Sequence, residues 1–327
     1  MDQDNGIILV TLPQNRMFPG LEEQLRQAGD GRELVITSDP GELEKAPFLQ
    51  QVEILIGFVP WHLISRMPHL RWVQLWSAGA DGLQYYPELK DRPFMLTSTS
   101  GMHGQQLTEH IFGLLLAWNR RFPPVFAAQK RHAWIEIPGE EISLLWGKTM
   151  LILGYGSIGT QTAQVALAFG MQVIALRRHV PDSGQARGLR IESIAKLKEL
   201  LPQADVVVNI LPLTQDTKHI ISTAELGAMK DSALYMNVGR GPTTDEKALI
   251  EALKAKHIAG ALLDVTETEP LPPDSPLWDL DNVIITGHYA GVRPNYSSIA
   301  LEITLDNLGR YLRGEALHNL VNKNAGY

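Results

Sequence analysis

Short apolar runs and amphipathic stretches alternate along this chain from its start. Ile7-Ile8-Leu9-Val10 is an apolar run of strand length, and residues 21–28 read as a helix. Leu34-Val35-Ile36, Ile54-Leu55-Ile56 and Trp72-Val73-Gln74-Leu75 predict further strands, separated by helical or turn-rich segments. Strands this continuously apolar, alternating with helices, predict a parallel sheet covered on both faces. Residues 104–121 predict a long helix that Pro123-Pro124 would end, and beyond it the alternation resumes. Strands are predicted at Thr149-Met150-Leu151-Ile152-Leu153, Val173-Ile174-Ala175-Leu176, Val206-Val207-Val208-Asn209, Ala233-Leu234-Tyr235-Met236, Gly260-Ala261-Leu262-Leu263 and Val283-Ile284-Ile285. Strands connected in this way match a doubly wound α/β fold. One more helix, 297–312, follows Pro294 and has no sheet of its own to cover. It is expected to return to the first unit. The expected domains are therefore a discontinuous one, 1–99 with 293–327, and a continuous one, 100–292.

Composition narrows the function. A chain of 327 residues suits two cores. Its 44% apolar and 20% charged residues are those of a soluble globular protein. A net charge of -7 disfavours nucleic acid as a partner, because neutralising phosphates requires clustered Lys and Arg. With no cysteine, thiol catalysis, disulfides and thiolate metal sites are excluded, and no metal site is expected. The acidic, polar start lacks the features of a signal peptide, and the longest apolar run, 111–118, is far below the ~20 residues of a membrane span. A cytoplasmic enzyme with no membrane partner is the expectation.

Gly154, Gly156 and Gly159 form G-x-G-x-x-G directly after an apolar strand and open a helix at Ser157 and Ile158. The first glycine allows a tight turn, the second lets the backbone approach a phosphate, and the third lets helix pack on strand. A pyrophosphate would then meet the positive end of the helix. Such turns also occur in methyltransferases, so the motif alone specifies a nucleotide-like ligand and no particular one. About 20 residues further on, NAD-binding folds place an acid on the adenosine ribose. Here the second strand ends at Leu176-Arg177-Arg178-His179, with no acid. Guanidinium groups at Arg177 and Arg178 would pair with a ribose 2′-phosphate, which predicts NADP(H) in preference to NAD(H).

Three later segments carry chemistry at strand ends: Asn237-Val238-Gly239-Arg240-Gly241, Asp264-Val265-Thr266-Glu267-Thr268-Glu269-Pro270-Leu271, and Gly287-His288-Tyr289-Ala290-Gly291. Carboxyl ends of parallel strands are the ligand-binding edge of open α/β sheets, so an Arg, a Glu and a His are expected to converge there. The ordered set G-Y-G-S-I-G, L-P-L-T (211–214), N-V-G-R-G, D-V-x-E-x-E-P-L and H-x-A-G resembles the D-isomer-specific 2-hydroxyacid dehydrogenases, including the glyoxylate/hydroxypyruvate reductases, over nearly the whole chain.

The resemblance implies a Rossmann cofactor domain and a smaller flavodoxin-like substrate domain, with the active site in the cleft between them. The family's catalytic Arg, Glu and His fall on Arg240, Glu269 and His288, with Glu269 chosen over Glu267. Cofactor contacts are implied at the glycine turn and at Leu211, Pro212, Val238, Gly239, Arg240, Asp264, His288, Ala290 and Gly291. Ser77, Ala78 and Gly79 correspond to the family's carboxylate-binding loop. A homodimer built on the cofactor domains, with the helix from Gly104 at its interface, is also implied.

These roles are chemically coherent. His288 can give a proton to a carbonyl oxygen, and Glu269 would orient its ring and balance the imidazolium charge. Arg240 can bind a carboxylate and polarise a carbonyl. A small 2-keto acid reduced to a D-2-hydroxy acid is the expected reaction. The family more often has Pro before its His, whereas Gly287 stands here. A competing expectation is a dinucleotide-sensing, corepressor-like binding protein that keeps the same crevice. His103 and His110 read as hinge residues, and Trp76 and Trp134 as core.

Overall fold

A computed structural model describes residues 6–180 and 188–326. The chain divides into two compact units, Met1–Met102 with Arg293–Tyr327, and His103–Val292. The first crossing lies three residues beyond the expected 99. Ser100 and Met102 stay with the first unit, where Asn319 Nδ2 donates to Ser100 O (2.9 Å) and Met102 N donates to Thr99 O (3.5 Å).

The first unit begins with β1 (Ile7–Thr11), α1 (Leu21–Ala28), β2 (Leu34–Thr37), β3 (Val52–Gly57), β4 (Trp72–Leu75), the single-turn α2 (Gly82–Tyr85) and β5 (Met95–Thr97). The five strands are all parallel in the order β2-β1-β3-β4-β5, a flavodoxin-like order. Side chains alternate between faces along each strand. Thus Ile7, Leu9, Leu55 and Val73 enter one apolar cluster, and Ile8, Val10, Ile54 and Trp72 enter the other. Two buried faces explain why these strands read as unbroken apolar runs.

The second unit opens with α3 (Gly104–Asn119) and α4 (Phe122–Lys130). Pro123 and Pro124 lie in the first turn of α4, so they start a helix as well as follow one. Proline is tolerated there because the first N–H groups of a helix have no internal partner. There follow β6 (Thr149–Leu153), α5 (Ser157–Ala168), β7 (Gln172–Arg177), β8 (Leu189–Ser193), α6 (Leu197–Leu200), β9 (Val206–Asn209), α7 (Thr223–Leu226), β10 (Leu234–Asn237), α8 (Glu246–Lys254), β11 (Gly260–Leu263) and β12 (Val283–Ile285). The parallel sheet runs β12-β11-β10-β9-β6-β7-β8, with order reversing between β6 and β9. Six of its strands were legible as apolar runs, and β8 was not. Its sequence alternates, its Arg190 and Glu192 pair at 3.1 Å, and it lies at the sheet edge. No helix among the described residues is long and apolar enough to cross a membrane.

The last helix, α9 (Tyr296–Leu312), belongs to the first unit. Tyr296, Ala300, Leu301 and Leu308 complete the cluster under Ile8, Val10 and Trp76. Polar contacts fix its register. Trp76 Nε1 donates to Thr304 Oγ1 (3.0 Å), Asn307 Nδ2 to Gln74 Oε1 (2.9 Å), and Tyr311 Oη to Glu53 Oε1 (2.6 Å). The Tyr311 ring also stacks on Trp72 at 5.4 Å.

Burial on its own would raise the Glu53 carboxyl, but hydrogen bonds from Tyr311 and Arg32, with the charges of Arg32 and Arg71, hold it below its ordinary value. A lowered folded-state value contributes stability above the unfolded value, and this is lost as pH falls through the folded one. Tyr311→Phe is expected to cost about 1 kcal/mol at neutral pH and to move the acid-unfolding midpoint upward. Circular dichroism during acid titration checks this, and coincident midpoints for the two proteins would disprove it.

Candidate active site

The strand order reverses between β6 and β9, and there the carboxyl edge of the sheet opens a crevice. The glycine turn leaves β6 at that point. Gly154 has φ 104, and a Cβ at Gly159 would lie 2.2 Å from Gly154 O, so neither position accepts a side chain without rearrangement. Gly156 is the exposed N-cap of α5, and no atom lies within 4 Å of where its Cβ would stand. The free N–H groups of Ser157 and Ile158 begin the helix beside it. This cradle fits the pyrophosphate of a dinucleotide. At the end of β7, Arg177 is half-buried and forms no ion pair among the described residues. Arg178 is exposed and donates to Asp216 Oδ2 at 2.9 Å. Neither is followed by a carboxylate in sequence, which suits an anionic ribose substituent.

Strands β9 and β10 each end in a buried asparagine, a signal that sequence reasoning passed over. Asn209 Oδ1 accepts from Leu211 N (3.1 Å), and its Nδ2 donates to Tyr235 Oη (3.0 Å) and Thr243 Oγ1 (2.8 Å). Asn237 Oδ1 accepts from Gly239 N (3.0 Å), and its Nδ2 donates to Arg240 O (3.1 Å) and Thr244 Oγ1 (3.1 Å). Burial pushes the Tyr235 hydroxyl up to about 12, so it stays a neutral partner in this network. Leu211, Val238 and Gly239 are thereby packed at the base of the loops, with Pro212 half-buried. Arg240 is half-buried and its carbonyl also accepts from Thr243 Oγ1 at 2.6 Å, so the loop bearing its guanidinium is fixed from below. Gly241 follows because a Cβ there would lie 1.8 Å from Thr266 O of the neighbouring loop.

Those neighbouring loops carry the acid and the histidine. His288 Nδ1 meets Glu269 Oε2 at 2.6 Å, and Glu269 Oε1 accepts from Thr266 N at 3.1 Å. One carboxylate therefore bridges the loop after β11 to the loop after β12. Glu267 turns elsewhere. It pairs with His219 Nε2 at 2.8 Å, and its N–H and that of Glu246 at the start of α8 each donate to the other's carboxylate. Burial first, and then the charge of Glu267, raise the Glu246 carboxyl above its ordinary value.

Asp264 is 3% exposed, and its carboxylate accepts from Thr286 Oγ1 (2.6 Å), Tyr289 N (3.1 Å) and Ala290 N (3.0 Å). Its backbone oxygen accepts from His288 N at 2.8 Å. Ala290 is buried and Gly291 partly so. With Nδ1 engaged by Glu269, the other ring nitrogen of the half-exposed His288 is the one left for proton transfer.

On the first unit, the loop after β4 is closed by Ser77 Oγ donating to Gly79 O at 3.0 Å, with Ala78 exposed between them. Beside it lies a cavity of about 400 Å³, lined by Phe58, Val59, Pro60, Trp61 and Leu75 with Ser77 and Gly79 at one side.

One of the single-residue expectations changes. Trp76 is fully buried, but Trp134 is 94% exposed, because residues 131–138 form neither helix nor strand and offer it no packing surface. His110 meets Thr286 and Asp264, whereas His103 is buried at the start of α3. No group of three or more metal-ligating side chains occurs among the described residues.

Residues 112–290 match the profile described as D-isomer specific 2-hydroxyacid dehydrogenase, NAD binding domain. A glyoxylate reductase of Korarchaeum cryptofilum is 33% identical over 279 residues, 83% of this chain and 82% of that protein. A glyoxylate/hydroxypyruvate reductase B from an Enterobacter species is 36% identical, with 80% of each chain covered. Among solved structures, an NADPH-dependent glyoxylate/hydroxypyruvate reductase of Sinorhizobium meliloti, in complex with NADP and sulfate, superposes with a TM-score of 0.81. It is 27% identical, covering 98% of this chain and 100% of that one. These relatives are named as oxidoreductases and give the corepressor-like alternative no support. The ordered motifs, the reversed strand order and the paired His288 and Glu269 have the same explanation: this chain belongs to the D-isomer specific 2-hydroxyacid dehydrogenase family.

Proposed function

We propose that this protein reduces a small 2-keto acid to the D-2-hydroxy acid, with glyoxylate and hydroxypyruvate as the first candidates and NADPH as the reductant. The observation that carries this reading is the 2.6 Å contact between His288 Nδ1 and Glu269, which leaves the opposite ring nitrogen to deliver a proton. Bound NADPH would supply the hydride. His288 gives its proton to the carbonyl oxygen, and Glu269 holds the ring in place and offsets the charge that it carries beforehand. Arg240 binds the substrate carboxylate and draws electron density from the carbonyl. Backbone N–H groups of Ser77, Ala78 and Gly79 are the proposed partners of that carboxylate on the first unit.

The cofactor would lie on Gly154, Gly156, Ser157, Ile158 and Gly159, with Leu211, Pro212, Val238, Gly239, Asp264, Ala290 and Gly291 bordering it. Arg177 and Arg178 would face the 2′-phosphate, which is the basis for preferring NADP(H); NAD(H) would bind without that ion pairing. The NADP held by the Sinorhizobium relative supports this choice.

A homodimer is part of the same proposal. Trp134 (94% exposed), Trp146 (78%), Leu144 (63%) and Phe126 (56%) expose large apolar surface within one stretch of sequence. A second copy would cover it, as monomers rarely leave such patches bare. The apolar residues of α3 expected at this interface are instead largely buried within the unit.

Three outcomes test these claims. His288→Gln should lower kcat by about 10²–10⁴-fold on a keto acid that the wild type reduces, the usual range for losing a positioned acid. Near-normal turnover would remove His288 as proton donor. Arg177→Ala with Arg178→Ala should raise KM for NADPH at least about tenfold, roughly 1.4 kcal/mol, and leave KM for NADH nearly unchanged. Equal effects on both cofactors would overturn the 2′-phosphate assignment. Trp134→Glu should shift the protein from dimer to monomer in light scattering, and a wild type that is already monomeric would refute the dimer.

A further inference from the structure

One face of α3 reaches the loop that carries His288 at several points. His110 Nε2 lies 3.0 Å from Thr286 Oγ1, and the His110 and Tyr289 rings meet edge to face with centroids 5.2 Å apart. One turn earlier, Gln106 Nε2 donates to Gly291 O at 3.3 Å. Residues four apart share a helix face, so these contacts act from one surface on residues 286–291.

The direction of each hydrogen bond follows from the groups involved. The Tyr289 and Ala290 N–H groups can only donate, and the buried Asp264 carboxylate accepts both. Thr286 has one hydroxyl hydrogen, and its 2.6 Å contact to Asp264 Oδ1 uses it. The remaining Thr286 lone pairs can accept, so His110 Nε2 is the donor to Thr286. Burial lowers the His110 imidazole against the opposing charge of Asp264, so the ring is held towards its neutral form. A neutral ring with its hydrogen on Nε2 completes the chain from His110 through Thr286 to Asp264 and the loop amides. This chain has a task. His288 has φ 54, a left-handed conformation that a residue with a Cβ adopts only when its surroundings impose it. Asp264 imposes it by accepting the N–H groups of His288, Tyr289 and Ala290 in succession.

We propose that His110 and Thr286 are positioning residues for the catalytic histidine: they orient the Asp264 carboxylate, which holds residues 288–290 in the one backbone arrangement that presents the His288 ring to Glu269. This inference rests on the proposed function for its catalytic readout but not for its structural one. His110 itself touches neither of the reacting groups. It keeps the left-handed turn from relaxing to an ordinary backbone conformation, in which the His288 ring would leave Glu269.

The test compares His110→Phe, which keeps a flat ring without the donor, Thr286→Val, which keeps the shape without the hydroxyl, their double variant, and the conservative His110→Gln and Thr286→Ser. Two measurements are made on the whole protein: steady-state kinetics with NADPH and the best keto acid, and amide hydrogen exchange at His288, Tyr289 and Ala290. His110→Phe and Thr286→Val should each lower kcat by about tenfold and protection of the three amides by a similar factor, with KM for NADPH changed less than about twofold. His110→Gln and Thr286→Ser should recover most of both. The double variant should be no worse than Thr286→Val, because both changes break one chain. Unchanged amide protection in both single variants, or losses that multiply in the double variant, would overturn the relay. If the wild type reduces no 2-keto acid, the proposed function falls, while the exchange rates still decide whether His110 and Thr286 hold the loop.

Discussion

A buried carboxylate just beyond β11, the strand next to one edge of a parallel sheet, organises this site. Asp264 is sealed from water, so its charge must be met by donors within the protein. It finds them in a hydroxyl and in two successive amides of the next loop, and its own backbone oxygen takes a third. The requirement is mutual. Those amides would otherwise be orphaned where the chain leaves β12, and the left-handed turn at His288 would otherwise relax. The position of the histidine is therefore a consequence of solving a solvation problem beneath it.

The same solution recurs across the sheet edge. Asn209 and Asn237 end their strands as Asp264 ends β11, and each turns its amide to the first N–H groups of the loop that follows. Tyr235, Thr243 and Thr244 satisfy the remaining donors and acceptors. A half-satisfied network at this depth would cost more than an apolar one, and in a fully satisfied form it gives each loop a single geometry. The glycines complete the arrangement by letting neighbouring loops touch backbone to backbone, as Gly241 does with Thr266. Fixed loops below leave a half-exposed His288 and a half-buried Arg240 above, the preorganisation on which the proposed proton transfer relies.

The first unit meets a different constraint. Its sheet is complete only when the C-terminal helix covers the face of Ile8, Val10 and Trp76, so the chain must return after the second unit has been built. Hydrogen bonds from Trp76 to Thr304 and from Asn307 to Gln74 set the register of that return. Apolar burial alone would leave α9 free to slide, since the effect is roughly proportional to area and has no direction.

Much of this was legible along the chain. Apolar runs at strand length marked four of the five strands of the first sheet and six of the seven of the second, because buried parallel strands need apolar residues on both faces. The glycine turn and the ordered strand-end motifs identified the family, and the helix left without a sheet identified the return crossing. The sequence was silent on β8 and misleading on Trp134, because an alternating edge strand resembles a loop and a tryptophan carries no sign of whether anything lies against it. Two acids, Glu267 and Glu269, stood at the same loop; residue type could not separate them, and the choice of Glu269 came from the resemblance to the family's motif. Only the folded backbone turned Glu269 to His288 and Glu267 to His219. The contacts of His110 with Thr286 and Tyr289 belong to the same class. They join residues about 176 positions apart, and local pattern contains no record of distances that exist only once helix α3 has packed against the sheet.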